Sequence, residues 1–461
     1  MSVVLSILSG PSGGQTYSFD KGAITLGRDP QNDVALPDDK AVSEHHARLV
    51  WERDVWAIYD AQSKNGVYLE QDGAFRRIAG SAPLAFGQRF RLGRTDFRLN
   101  PAAELRARLV VRIDLENDTL KFQTLSSGAY GARHASPYCE DDVAMLNARL
   151  RGLVLTAHRN YREGAEARGH GVVAVFEEAG HYLHDHLFPP RIQRRLLDTS
   201  GGDLFLVHDA SLIRVPWELA LVGNQFLCRR FNLGRQILVD DQGSVLQKAH
   251  GEQPARLLII SNPTGDLPEV QEQAEALLGQ LIASGAQAAG GGVQVEFLAG
   301  PRVERVDLLS RLTKTDVVFY AGHAEYDPVN PANSGWILER GRVTCADFRG
   351  LHPPPALVFA NGCESAREAT WSSEPDPRSC GYGIASSFIL AGVRSYLGAI
   401  WPIRVRSSAV FASEFFRGLF AGVPIGECVR RAREEVVAAC GAEDTVWASY
   451  VLYGDPANRF G

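Results

Sequence analysis

The chain has seven cysteines among 461 residues and no Cys-x-x-Cys pair, so it offers neither a disulfide framework nor a zinc ribbon. Scattered thiols of this kind fit a reducing compartment, where they pack or react. Long hydrophobic runs are missing too. No segment supplies the roughly 20 apolar residues that cross a bilayer, and no basic leader follows Met1. A cytoplasmic protein with no membrane partner is expected. Net positive charge is also absent, with 48 Lys and Arg against 54 Asp and Glu. A nucleic-acid footprint needs clustered cations to neutralise phosphates, so none is expected, and the run Arg191 to Arg195 reads as a solvated helix face. His181, His184 and His186 cluster in HYLHDH, but positions i and i+3 share a helix face that i+5 leaves, and no Cys is near. They read as polar helix residues, and no metal or cofactor is expected.

What the chain does have is a globular composition, 45% hydrophobic and 22% charged, at a length too great for one core. Residues 2–100 are short alternating segments such as VVLSIL, AITLG, ARLVW, VWAIYD and RFRLG, broken by Gly, Asn and Asp. That spacing predicts an all-β sandwich. After Pro101 the texture changes. Strands LVVRIDL and DLFLVHD alternate with amphipathic segments, and from 255 onward apolar strands and helices alternate regularly: ARLLIISNP, LPEVQEQAEALLGQLIASG, TDVVFYAGH, PALVFANGC, RSYLGAIW, ASYVLYGDP. This pattern predicts an α/β domain with a mostly parallel, doubly wound sheet. The expected organisation is three parts, 1–104, 105–254 and 255–461.

Two of these strands end in reactive residues, TDVVFYAG in His323 and PALVFANG in Cys363. Parallel strands share one carboxyl edge, where ligands and reacting groups gather. A thiolate beside an imidazole suffices for acyl transfer. Gly322 and Gly362 let the backbone turn tightly and approach a substrate, and the backbone N–H groups of Cys363 and Ala324 are candidate oxyanion donors. Residue chemistry alone favours a packed core thiol, because free Cys is among the most buried residue types. Glu325, Asp327 and Glu364 flank the pair. In a pocket they would select Lys or Arg by charge, and otherwise they are solvated loop carboxylates.

The strands VVFYAGH and VFANGCES, together with VPWELA at 215–220, LPEVQEQAEAL at 267–277 and WASYVLYGDP at 447–456, resemble the CHAT domain over about 105–461. That family belongs to the clan of caspases and separases. The resemblance implies a caspase-like fold in which His323 and Cys363 cleave peptide bonds through a thioester, with 105–254 as a degenerate caspase-like part. Bacterial relatives imply defence or cell-death signalling. Caspase-type enzymes commonly carry Gly after the histidine, where this chain has Ala324. A chain that keeps the fold as a catalytically silent phosphopeptide-binding scaffold is the alternative. The polar segment 367–383, after the cysteine, is long enough to contact substrate or to be cut.

In the N-terminal region ITLGRDPQNDVALP, VSEHHARLVW and YDAQSKNGVYL occur in order and resemble the FHA domain. The resemblance implies a phosphothreonine-containing partner. A phosphate with about two negative charges wants a guanidinium with hydroxyl and amide donors, roles that Arg28 and Ser43 fit. Asn65 is then the residue that clamps the peptide backbone, and His46 braces the loop. Lys64 stands where Thr is common and would serve by charge. Glu44, where Arg or Asn is frequent, would weaken phosphate binding unless it points away. Together these readings give a cysteine endopeptidase acting on a protein substrate and targeted through a phosphothreonine partner.

Overall fold

A computed structural model describes residues 3–11, 16–19, 21–52, 55–71, 74–101, 108–126, 129–162, 171–238, 255–283, 293–325, 327, 330–362 and 384–460. Cys363, Glu364 and the segment 367–383 lie outside the described residues. The chain divides into two units, residues 1–107 and 108–461.

The first unit is a sandwich of a six-stranded sheet, ordered Thr16–Phe19, Val3–Ser9, Thr95–Pro101, Arg89–Leu92, Val67–Gln71, Ala74–Arg77, and a five-stranded sheet, ordered Val34–Ala35, Ala23–Gly27, Ala47–Glu52, Val55–Asp60, Ser81–Leu84. Alternation along each strand decides which residues face inward. Leu5 and Ile7, Ile24 and Leu26, Trp56 and Ile58, Phe90 and Leu92, and Phe97 and Leu99 are all buried in one core, as a period of two requires when each sheet has one wet face. Phe90 and Phe97 stack within it at 5.0 Å.

The second unit is built on one twelve-stranded sheet. Its order is Ala129–Tyr130, Thr119–Ser126, Arg108–Glu116, Asp203–Asp209, Asn232–Leu238, Tyr450–Tyr453, Ser395–Ala399, Leu357–Asn361, Val317–Ala321, Arg256–Ser261, Gln294–Ala299, with His134–Pro137 beside Thr119–Ser126. Residues 108–238 and 256–453 therefore share one sheet. The stitch between them is Tyr450–Tyr453, which runs antiparallel to Ser395–Ala399 and pairs in parallel with Asn232–Leu238. The central strands Val317–Ala321 and Tyr450–Tyr453 are buried at every position, as strands covered on both faces must be.

Among the covering helices, Pro268–Ala283 opens on a proline with Glu269 in its first turn, both suited to a helix start. Val405–Phe420 and Ile425–Cys440 each bury a broad apolar stripe and pack on one another. The Phe359 ring is met by Phe319, Phe411, Phe415, Phe416 and Tyr450. One aromatic cluster thus ties Leu357–Asn361 to its neighbour Val317–Ala321 and to the stitch strand. Each fully buried aromatic or aliphatic side chain of this kind contributes about 1.5–3 kcal/mol.

Candidate active site and candidate phosphopeptide site

Val317–Ala321 and Leu357–Asn361 are adjacent parallel strands in continuous register, from Val317 opposite Leu357 to Ala321 opposite Asn361. Each is followed by glycine, and the two glycines meet. A Cβ on Gly362 would lie 2.6 Å from the Gly322 carbonyl oxygen, and a Cβ on Gly322 would lie 2.9 Å from both Pro263 Cδ and Tyr320 Oη. The first contact is to backbone and the second to a proline ring and a buried tyrosine, so at both tips glycine serves close approach. The next residue on the first tip is His323, which is exposed. The next on the second is Cys363, outside the described residues.

The peptide after His323 is held from both sides. Its carbonyl accepts from Ile337 N at 2.9 Å and from Tyr320 Oη at 2.5 Å. Burial pushes the Tyr320 phenol far above its ordinary value, so the hydroxyl keeps the proton it donates. Ala324 pairs with Trp336 in a short antiparallel ladder. The Ile337 to His323 bond makes that pair the non-hydrogen-bonded kind, in which the N–H points away from the partner strand. In a trans peptide the Ala324 N–H also points opposite to the fixed His323 carbonyl. Ala324 N stands 3.7 Å from where a Gly362 Cβ would be. An outward N–H beside the second strand tip is a preorganised donor.

His323 Nε2 lies 3.1 Å from Asp266 Oδ2. A carboxylate only accepts, so Nε2 carries a proton, and in the neutral ring Nδ1 keeps the lone pair. Among the described residues Nδ1 has no hydrogen-bond partner. The acidic neighbours take local roles. Glu325 pairs with Arg342 at 2.9 Å, and Asp327 Oδ1 accepts from Asn330 N at 2.9 Å, closing a turn.

Asp266 and Tyr320 were not marked in the sequence. Asp266 sits in a loop after Arg256–Ser261, and only the strand order, which puts that strand beside Val317–Ala321, brings the loop to the histidine. Tyr320 reads as one more apolar strand residue. The three histidines of HYLHDH straddle the junction of the helix Val172–Tyr182 with a π-helical turn, Leu183–Leu187, so their spacing does not follow a regular α-helix.

In the sandwich unit the loops after Ala23–Gly27, before Ala47–Glu52 and before Val67–Gln71 carry Arg28, Ser43, and Lys64 with Asn65. They are cross-linked. Arg28 N donates to Ser43 O at 2.8 Å, Lys64 N to Ser43 Oγ at 3.0 Å, and Asn65 Nδ2 to Ala41 O at 2.7 Å. His46 is fully buried. Its Nδ1 accepts from Ser43 N at 2.9 Å, which leaves Nε2 as the donor to Gly66 O at 3.1 Å. Burial holds its pKa below the usual imidazole value, so the neutral ring splints both loops. A Cβ on Gly27 would fall 2.1 Å from Glu44 O, so only glycine allows the Arg28 and Ser43 backbones to pair. Glu44 does not point away: its Oε1 is 3.7 Å from Arg28 Nη2.

Comparison with known proteins follows the same division. The family model for the CHAT domain matches residues 177–455, and residues 6–103 match the model described as the inner membrane component of T3SS, cytoplasmic domain. The glycogen accumulation regulator GarA of Mycobacterium tuberculosis is 34% identical over 98 residues, 21% of this chain and 56% of that protein. The oxoglutarate dehydrogenase inhibitor of Corynebacterium jeikeium is 32% identical over 98 residues, 21% of this chain and 62% of that protein. The chain thus spans less than two thirds of the length of each of these two relatives. The FHA domain of the CT664 protein from Chlamydia trachomatis is 32% identical, with a TM-score of 0.20, covering 22% of this chain and 97% of that one. No helix among the described residues is long and apolar enough to cross a membrane. With more than half of its length matched, the chain belongs to the CHAT domain family, of caspase-like type, and carries an FHA-like β-sandwich at its N-terminal end.

Proposed function

We propose that this protein is a cysteine endopeptidase whose nucleophile is Cys363 and whose base is His323, directed to its substrate by a phosphothreonine-bearing partner docked on the sandwich unit. The observation that carries the reading is the in-register pairing of Ala321 with Asn361 and the glycine contact just beyond it. Two residues past that pair come an imidazole on one tip and a sulfur on the other.

In the reaction, Nδ1 of His323 takes the thiol proton as Cys363 attacks the peptide carbonyl. The outward N–H of Ala324, with that of Cys363, receives the oxyanion, an arrangement that stabilises charge where it develops. Collapse breaks the C–N bond, His323 returns the proton to the leaving amine, and water hydrolyses the thioester. Glu325 and Asp327 are engaged with Arg342 and Asn330, so selectivity before the scissile bond is assigned to neither. A digest of a proteome-derived peptide library by the full chain is expected to give a defined cleavage motif. The motif disappears with Cys363→Ala and with His323→Ala. Unchanged cleavage by the purified Cys363→Ala protein defeats the reading.

The docking half rests on an exposed Arg28 beside Ser43, Lys64 and Asn65. Ser43 Oγ accepts from Lys64 N, so its own proton is free for a phosphate oxygen, while Asn65 Oδ1 remains for a peptide N–H. Glu44, whose Oε1 is 3.7 Å from Arg28 Nη2, competes with a phosphate for that guanidinium. Phosphopeptide titrations should show at least tenfold weaker binding for Arg28→Ala, the scale of one charge-assisted contact. Glu44→Gln should bind a few-fold tighter, since a competing surface charge is worth up to about 1 kcal/mol. Equal affinity for phosphorylated and unphosphorylated peptides would exclude phosphothreonine docking.

A further inference from the structure

We propose that Asp266 is a positioning residue for His323, fixing the imidazole in the tautomer whose Nδ1 serves the thiol. The inference rests on the peptidase reading above and adds a third member to the pair. Asp266 uses its two oxygens separately. Oδ1 accepts from Thr264 Oγ1 at 2.5 Å and Oδ2 lies 3.1 Å from His323 Nε2. A carboxylate with one oxygen fixed by its own loop presents the other in a single direction.

The loop is itself fastened to the histidine strand. Asn262 takes a left-handed conformation, φ +47°, which turns the chain sharply after Arg256–Ser261. Its N–H donates to Ala321 O at 2.8 Å, its carbonyl accepts from Gly265 N at 3.0 Å, and its Oδ1 accepts from Leu267 N at 2.9 Å. Gly265, at φ +82°, completes the turn against Pro301. Two residues after Asp266 the helix Pro268–Ala283 begins, and a helix start favours a carboxylate. The Thr264 hydroxyl above all, with help from His323, holds the Asp266 carboxyl below its ordinary value against the opposing effect of burial. It is thus ionised, and an acceptor only, throughout the neutral range.

A loop tied by its backbone to Ala321, one residue before the Gly322–His323 dipeptide, moves with the histidine it orients. Both partners are solvent-exposed, with side chains 46% and 63% accessible, so the pair acts by direction more than by strength. A carboxylate whose role was to select a basic substrate side chain would instead leave the imidazole tautomer unchanged on removal.

The test uses the full chain and iodoacetamide, with alkylation of the Cys363 peptide followed by mass spectrometry, so that no natural substrate is needed. Wild-type Cys363 should alkylate at neutral pH at least tenfold faster than a thiol in an unfolded peptide, and His323→Ala should abolish that excess. Asp266→Ala should lower the rate about fivefold, the scale of an exposed ion pair, with Asp266→Glu restoring part of it and Thr264→Val intermediate. In a Cys363→Ala background, the 15N shifts of His323 should report the Nε2–H tautomer, and Asp266→Ala should turn this into a mixture. A wild-type rate in Asp266→Ala with the tautomer unchanged, while His323→Ala still slows the thiol, overturns the positioning role and leaves the pair standing. A wild-type thiol that reacts like a free one, indifferent to His323→Ala, removes the pair itself.

Discussion

Tyr320 links the packing of the sheet to the chemistry at its edge. Its ring stacks on Trp336 with centroids 4.2 Å apart, and its hydroxyl holds the His323 carbonyl. The reverse side of that peptide is the Ala324 N–H. Ala324→Pro deletes this one donor at a position where the antiparallel ladder does not use it. Peptide cleavage should fall by about 10²–10³-fold, as for loss of an oxyanion donor elsewhere, with secondary structure unchanged by circular dichroism. Ala324→Gly, which keeps the N–H, should stay within a few-fold of wild type. Equal activity of the proline variant would remove Ala324 from the mechanism. At this scale the sequence marked His323 because it follows glycine at a strand end, and the structure puts it just past that strand, exposed. The sequence was silent on Tyr320 and Asp266, whose functions depend on a fold-specific neighbour. The Glu325 bond to Arg342 likewise depends on a short hairpin, Gly335–Leu338 with Gly341–Thr344, that carries no strong periodicity.

At the scale of elements, the strand Asn232–Leu238 and the turn Trp217–Leu219 are joined by a buried ion pair. Arg235 and Glu218 are 1% and 2% accessible. The Arg235 guanidinium meets both Glu218 oxygens, through Nε at 2.8 Å and through Nη2, and Nη1 donates to Ile213 O at 3.1 Å. A bidentate pair of this kind offsets its own desolvation, but either partner alone is an uncompensated buried charge. Glu218→Ala should therefore lower the stability of the CHAT unit by about 3–5 kcal/mol in urea unfolding. A loss under about 1 kcal/mol would mean that water or another acceptor replaces the carboxylate. The VPWELA segment thus has a structural reason for its acid, which holds the arginine that pairs with the stitch strand at Tyr453. Strands and helices were legible in the sequence because their periods differ and their caps are conventional. The pairing of Tyr450–Tyr453 between Asn232–Leu238 and Ser395–Ala399 was not, since it depends on contacts more than 50 residues apart in sequence.

The whole CHAT unit is shaped by how it handles buried polar groups. His208 is fully buried in Asp203–Asp209, and Nδ1 donates to Asp209 O at 2.8 Å. Burial, and after it the charge of Arg235, pulls its pKa down to about 3. The unfolded chain takes up a proton near pH 6.5 that the folded chain refuses until about pH 3. Between those values the unfolded state binds more protons, so stability rises with pH and is lost as pH falls through the window. The buried His46 of the sandwich shifts in the same direction. The urea midpoint of the CHAT unit should fall between pH 7.5 and pH 5, and the fall should be smaller in His208→Gln. An equal fall in both proteins would assign the acid sensitivity to other groups. At this largest scale the change near residue 101 from an all-β texture to alternating strands and helices was readable, and the structure divides close to it, into residues 1–107 and 108–461. That one sheet runs through residues 108–453 was not readable, because each half of it carries the same alternating signal.

The account stands on one pairing, a sulfur and an imidazole presented by neighbouring strand tips. The measurement that reaches it most directly is mass-spectrometric mapping of a peptidyl acyloxymethyl ketone on the intact chain. The label is predicted on Cys363 alone among the seven thiols and is predicted to vanish in His323→Ala. Label spread over several cysteines, or placed on Cys363 at an equal rate without His323, would contradict it.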